Sequence, residues 1–323
     1  MRVAVDVTPL LGAVTGVGQT VQGLLGALPD AAPDVEVVPW QLTWRSVMPP
    51  PAVLVRLWAR RDRPRSDGWL PAADVIHGTN FVVPPSKRPA TVTVHDTWCA
   101  RHPDACGRTT RAAVATVRRA VARGAWLHVS TEWAAGEMRD LYGAERIAVV
   151  PFGVPEVPDV REAGRPPVDG PYVLFLGSTT DRRKGHDVLV EAMRDLPDVA
   201  LVQAGPGNWV DDETRGALLR GARALACPSR DEGFGFPVLE AMSVGVPVVA
   251  SAVGGVPEVA GDAALLVPPD DPAALADALR VAVDDEVARA RLTAAGLERA
   301  GQFSWESHAR GMAELWRNAL EAG

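Results

Sequence analysis

The densest concentration of chemistry-bearing residues in this 323-residue chain is the run PSRDEGFGFPVLEAMSVGVPVVAS, residues 228–251. Two carboxylates, Glu232 and Glu240, stand eight positions apart around a Gly233-Phe234-Gly235 turn, with Pro237 where a helix would begin. A helix N-terminus preceded by glycines offers backbone N–H donors and a positive dipole end, which suits a phosphate or an electron-rich sugar oxygen. Ionised carboxylates instead accept hydrogen bonds from hydroxyls. On the alternative reading Glu240 only complements the helix dipole and Glu232 is solvated.

Further candidates lie upstream. Lys184 is one of two lysines, with Lys87, among 33 basic residues. It follows Arg182 and Arg183 in the loop after the strand-like run PYVLFLG, and reads as a cation at the carboxyl end of a sheet or as part of a solvated basic turn. Gly16 and Gly18 mark an early turn, but Val21 stands where a dinucleotide fingerprint wants its third glycine, and no acid ends the next strand at Trp40. That argues against a nicotinamide cofactor and for a loop passing close to a ligand. His95 and Asp96 end the run ATVTVHD, where His95 reads as a site residue or as a satisfied structural histidine; His77 and Asn80 pose the same choice. Residues 45–65 hold six arginines, one acid and Trp58 around an AVLVRLW core, with prolines 49–51 delaying any helix. Basic amphipathic helices carrying tryptophan bind anionic lipid surfaces. An ordinary surface helix is the alternative.

These residues need a scaffold that gathers the carboxyl ends of strands. Short runs such as RVAVDV, VEVVPW, DVIHG, ATVTVHD, WLHVS and IAVVPFG alternate with helical patterns, including 108–123 and 132–141, which predicts a parallel sheet covered on both faces. After a proline-rich linker, 153–171, the pattern restarts. Three helices close the chain: one with Asp271 as N-cap and Pro272 behind it, one near 285–300, and one opening at Ser304. Two doubly wound halves facing a cleft follow, with ligands beyond the strand ends. The length suits two domains at roughly 150 residues each. The net charge is −7, yet residues 1–152 carry 17 basic and 13 acidic groups against 16 and 27 in the remainder, so the front half is basic by itself. No apolar run reaches 18 residues and Asp6 interrupts any leader, so neither a spanning helix nor Sec export is expected, and a cytoplasmic chain is. Three cysteines without metal-ligand spacing predict reduced thiols and no structural zinc.

The Glu232-x7-Glu240 segment with GFGFP inside it resembles the Glu-x7-Glu motif of the retaining family 4 glycosyltransferases. GVG at 16–18, HGTN at 77–80, VHD at 94–96, the RRKG loop and GGVPEVAGDAALLVPPDDP extend the likeness over most of the chain. The resemblance implies the glycosyltransferase B fold, an α/β fold of two Rossmann-like, doubly wound parallel-sheet domains facing a cleft. Residues 1–152 plus a C-terminal helix 304–323 would form the acceptor-side domain, and 172–303 the nucleotide-sugar domain. It implies that Glu232 meets the donor sugar's hydroxyls and that Gly233, Phe234 and Gly235 present amides to sugar and diphosphate. Glu240 would hold the ribose, Lys184 and Arg183 the departing diphosphate, His95 would face the donor sugar, and Gly16 and Gly18 would approach the donor.

Fixed cations stabilise charge developing on a leaving group, so no metal and no cofactor are expected. The expected activity is transfer of a hexose, mannose-like or glucose-like, from a nucleotide-diphosphate sugar to a hydroxyl acceptor with retention. A lipid-linked acceptor and an anionic membrane surface met through 45–65 are expected partners, with the protein peripheral at the inner face; nucleic acid is not. Two departures stand out. Ser178 follows Gly177 where some relatives carry arginine, and only 18 residues separate Gly205 from Ala224, so one βα unit that usually lies against the base is missing. The short segment favours, as an alternative, a non-catalytic sugar-nucleotide-binding or membrane-associated protein. A nicotinamide-dependent oxidoreductase on two Rossmann-like halves is the third class.

Overall fold

Parallel strands covered on both faces must be apolar on both, and the strands RVAVD and ATVT bury residues on both sides of their pleat. The computed structural model describes residues 1–11, 15–43, 50–158, 170–206, 208 and 210–323. They form two units, Met1–Gly153 with Ser304–Gly323, and Val154–Phe303. The first runs β1 (Arg2–Asp6), α1 (Gly16–Ala31), β2 (Glu36–Trp40), α2 (Pro51–Trp58), β3 (Val75–Gly78), β4 (Ala90–Thr93), α3 (Trp98–Arg101), α4 (Arg108–Ala122), β5 (Trp126–Val129), α5 (Glu132–Tyr142) and β6 (Ile147–Val149). Its six strands are all parallel, in the order β2-β1-β3-β4-β5-β6.

The second unit runs β7 (Tyr172–Leu176), α6 (His186–Ala192), β8 (Ala200–Ala204), α7 (Asp212–Gly221), β9 (Ala224–Cys227), α8 (Phe236–Ser243), β10 (Val248–Ser251), α9 (Val256–Ala260), β11 (Leu265–Val267), α10 (Pro272–Asp284) and α11 (Glu286–Ala300). Its five parallel strands are ordered β11-β10-β9-β7-β8. The predicted α/β class with two parallel sheets is therefore what the chain forms. A single helix, α7, crosses from β8 to β9. Residues 207 and 209 of that short segment lie outside the described residues, as do 159–169 of the predicted linker and 44–49 at the start of the basic stretch.

Helix starts follow local side chains. Thr15, Thr131, Asp211, Asp271, Asp285 and Ser304 each accept a hydrogen bond from a backbone N–H of the first turn they precede. The last helix, α12 (Trp305–Glu321), returns to the first unit and buries Met312, Leu315 and Trp316 with Val3 and Val5 of β1 and Leu24 and Leu28 of α1. Gly23 makes this approach possible, because a Cβ there would overlap the Trp305 ring.

Two expectations are corrected. Cys99 and Cys106 form a disulfide, with Cα atoms 5.9 Å apart, because α3 and the turn after it fold the chain back within bridging reach. Only Cys227 is a free, buried thiol. Trp58 is not available to lipid: it is 1% exposed, its Nε1 donates to the Pro64 carbonyl at 2.9 Å, and its ring stacks on Trp69. The apolar side of α2, Leu54, Val55 and Trp58, packs into the unit and leaves Arg56 and Arg60 outside. Among the described residues no helix is long and apolar enough to cross a membrane.

Candidate functional site

In the second sheet β7 pairs with both β8 and β9, so the loops leaving β7 and β9 diverge from neighbouring strand ends. Crevices beyond such strand-order reversals are where open α/β sheets take ligands. The loop after β7 carries Arg182–Lys184 as a 3-10 turn, and the loop after β9 carries Ser229 to Gly235. Lys184 Nζ donates to Glu232 Oε2 at 2.7 Å, and Ser229 Oγ donates to the same oxygen at 3.3 Å. The pair is well shielded, with side chains 19% and 13% exposed, so Glu232 is not a solvated surface acid. Burial alone would raise the Glu232 carboxyl, but Lys184, the nearby charge of Arg183 and the Ser229 hydroxyl outweigh it and hold the group below its ordinary range. Burial opposes the charge of Lys184 in turn, and Glu232 overrides that and raises its pKa. Both directions say the same thing: the pair is ionised.

Glycines and one arginine hold these loops together. Gly185 has φ +65°, and a Cβ there would overlap the Pro228 carbonyl; Gly254 has φ +56°, and a Cβ there would overlap the Glu232 carbonyl, which accepts from Gly255 N at 2.9 Å. Arg230 donates its backbone N–H to the Arg183 carbonyl at 2.7 Å and Nη1 to the Arg182 carbonyl at 2.6 Å, while its guanidinium forks onto Asp187 at 2.8 and 2.7 Å. Arg183 itself lies 3.6 Å from Asp181.

Gly235, at φ +89°, starts α8 with no side-chain cap. Phe234 turns inward, 4% exposed, packing edge-on against Phe236 and Phe303, so only its backbone can meet a ligand. Glu240 lies one turn inside α8, whose first turn holds no acid, and it is fully buried. The dipole reading of Glu240 therefore fails. Its carboxylate pairs with Arg215 of α7; burial pushes its pKa up and the guanidinium offsets part of that. Arg215, Arg230, Gly185 and Gly254 were not singled out in the sequence, because each acts across 25 to 48 positions or through backbone overlap, and neither was Ser229, although it reaches Glu232 only three positions on.

The first unit places its candidates separately. Gly16 opens α1 and Gly18 N donates to Thr15 Oγ1 at 3.4 Å; a Cβ on Gly16 would meet nothing within 4 Å, so packing does not demand that glycine. His95 Nε2 donates to the Thr79 carbonyl at 2.9 Å and the ring stacks on Phe152, which leaves Nδ1 the acceptor of a neutral imidazole. Burial lowers its pKa, against the Thr79 bond and Asp96. His77 is structural: its Nδ1 bonds Thr91 Oγ1 at 2.8 Å, and it lies in the same buried network as His128. Asn80 Oδ1 is buried without a hydrogen-bond partner among the described residues. Asp6, at the end of β1, is a further buried acid; burial pushes it up to about 6 against hydrogen bonds from Thr8.

Residues 170–285 match the family model described as glycosyl transferases group 1. Over these residues the second unit is similar to a group 1 glycosyltransferase domain. Among similar curated proteins is a D-inositol 3-phosphate glycosyltransferase of Xylanimonas cellulosilytica, 34% identical over 239 residues, covering 60% of this chain and 57% of that protein. The chain spans about half the length of the curated relatives it matches. Among solved structures, the sucrose-phosphate synthase of Thermosynechococcus elongatus superimposes at a TM-score of 0.78 with 21% identity, covering 100% of both chains. Anabaena HepE in complex with UDP-glucose superimposes at 0.66 with 17% identity, covering 98% of this chain and 100% of that one. At such identities the superpositions speak for the fold. Together with the matched glycosyltransferase domain, they bear out the glycosyltransferase B fold and the likeness to the family 4 enzymes.

Proposed function

We propose that this chain is a retaining glycosyltransferase that moves a hexose from a nucleotide-diphosphate sugar to a hydroxyl acceptor without needing a metal. The observation that carries the reading is the ionised, shielded Lys184–Glu232 pair beside Arg183 at the β7/β9 crevice. Glu232 accepts hydrogen bonds from hydroxyls of the donor sugar. Lys184 and Arg183 meet the diphosphate as the bond from the sugar's anomeric carbon to the phosphate oxygen breaks and its electron pair stays on that oxygen. The acceptor hydroxyl attacks from the same face and passes its proton to the departing phosphate, so no protein nucleophile takes part. Fixed cations act where the charge develops, in a partly water-excluded site, and this is where they lower the barrier most. Glu240 is assigned to the ribose, the amides around Gly233 to Gly235 to sugar and diphosphate, and His95, Gly16 and Gly18 to donor contacts supplied by the first unit. UDP-glucose, the ligand of the HepE complex, belongs to the donor class proposed here.

A second reading, a protein that binds sugar nucleotides without turning them over, is favoured by one observation: Arg215 already occupies the buried Glu240 carboxylate. One experiment separates the two. Incubated with labelled nucleotide sugars in the presence of EDTA, the wild type should hydrolyse one donor slowly without acceptor, and Lys184→Ala should lose that hydrolysis while still binding the free nucleoside. A strict need for added magnesium or manganese would overturn the metal-free mechanism. Donor binding with no hydrolysis would leave the second reading.

A further inference from the structure

On the first unit, four arginines converge with no acid to answer them. Arg56 stands in the last turn of α2 and Arg60 just beyond it, while Arg108 and Arg111 stand in the first turn of α4. Between them lies an open groove of about 540 Å³, floored by Ala59, Ala112 and Ala115, whose short side chains leave the space. That volume falls within the roughly 300 to 1,000 Å³ of small-molecule sites. All four arginines are exposed, and none has an ion-pair or side-chain hydrogen-bond partner among the described residues. The acid close in sequence, Asp62, is taken by Arg119 at 2.5 Å and Arg123 at 2.6 Å.

The placement is electrostatically costly as it stands. A helix N-terminus favours acids, yet α4 opens with two arginines, has no acid in its first turn and has no side-chain cap on Gly107. Four like charges around one groove repel one another, and a multiply charged anion would relieve both costs at once. Guanidinium forks match phosphate oxygens in pairs. We propose that the groove between α2 and α4 binds the phosphate groups of a ligand carrying two or more of them. The proposal stands independently of the donor site assigned to the second unit.

The test uses tripolyphosphate as a soluble probe and phosphatidylglycerol vesicles as a headgroup probe, with phosphatidylcholine vesicles as the neutral control. Calorimetric titration should give one tripolyphosphate per chain. Arg108→Gln/Arg111→Gln and Arg56→Gln/Arg60→Gln should each weaken it about tenfold or more, since each removes charge-assisted bonds. These arginines have no partner to lose and their mutual repulsion is relieved, so melting temperature should not fall, and donor hydrolysis should stay unchanged. If only phosphatidylglycerol vesicles bind, whose headgroups carry one phosphate each, the arginines meet an anionic surface rather than a polyphosphate ligand, and the proposal is overturned. It is also overturned if neither probe binds at low salt, if the double variants bind as the wild type does, or if neutral vesicles bind equally well.

Discussion

A buried carboxylate keeps its charge only where a partner holds it, and the two glutamates of the second unit differ in this respect. Lys184 and its neighbours pull Glu232 below its ordinary range, whereas burial still raises Glu240 despite Arg215. Their loss should therefore be felt differently. Glu240→Gln is expected to weaken nucleotide binding by about 1.5 to 3 kcal/mol, the worth of a charged hydrogen bond, with turnover of bound donor little changed. Glu232→Gln should mainly lower turnover, and equilibrium binding beside single-turnover rates would separate the two effects. The Arg215–Glu240 pair also carries stability. Arg215→Met alone leaves a buried carboxylate unpaired and should cost about 3 kcal/mol or more in urea unfolding. Adding Glu240→Gln should recover part of that loss, giving a non-additive cycle; strict additivity would show that the two groups do not interact.

Across β3, β4, β5 and α12, the elements share a network of buried imidazoles. The directions of its hydrogen bonds follow from its fixed end: His128 Nε2–H donates to the Val150 carbonyl at 2.9 Å, so its Nδ1 accepts from Thr93 Oγ1 at 2.9 Å. That hydroxyl in turn accepts from His77 Nε2 at 3.4 Å, and His77 Nδ1 accepts from Thr91 at 2.8 Å. Every ring is satisfied in its neutral form, as His308 is against the Pro151 carbonyl. Burial holds His77 down to about 3, His308 down to about 4, and His128 well below its ordinary value. In the unfolded chain these rings take up protons near pH 6.5, so the folded state binds fewer protons below that value. Stability of the first unit should be full above about pH 6.5 and fall as pH drops below it, by on the order of 1 kcal/mol per histidine per pH unit. Asp6 acts in the opposite sense, because its pKa is raised to about 6 and it favours the folded state as pH falls through that value. Three rings against one acid leave a net loss. Melting temperatures between pH 7.5 and 5 should fall for the wild type and fall further for Asp6→Asn; a flat profile would contradict the neutral network.

At the scale of the whole molecule, the last twenty residues complete the first unit rather than the second. Val3 and Val5 of β1 are fully buried in a cluster that includes Met312, Leu315 and Trp316. Deleting residues 304–323 would expose that face of the sheet, and its apolar burial is worth more than a domain's net stability. The first unit should then lose its cooperative transition in calorimetry, whereas Trp316→Ala alone should cost about 3 to 5 kcal/mol. Retention of a full transition after the deletion would show that α12 is dispensable.

Local chemistry was legible without coordinates. The strands from RVAVDV to PVVAS, the helices near 108–123 and 132–141, the Asp271 and Ser304 caps and the single crossover after Gly205 all depend on neighbours within one or two turns, and they stand where the pattern puts them. Glu232 and Lys184 were likewise visible as charged residues of the loops after β9 and β7, and Glu240 as an acid of α8. Their partners were not. Whether Glu240 served a dipole or sat buried against Arg215 turned on how far α8 carries it inward and on α7, 25 positions away. Trp58 looked like a lipid anchor until the packing of α2 showed which of its faces turns inward, and the same rotation set Arg56 and Arg60 opposite Arg108 and Arg111 across a groove. Cys99 and Cys106 became a pair only through the fold of α3 and the turn after it. Periodicity fixes what an element is, because the period is a property of a few adjacent residues. Which side chains meet is decided by the packing of elements remote in sequence, and that packing is a property of the folded chain alone.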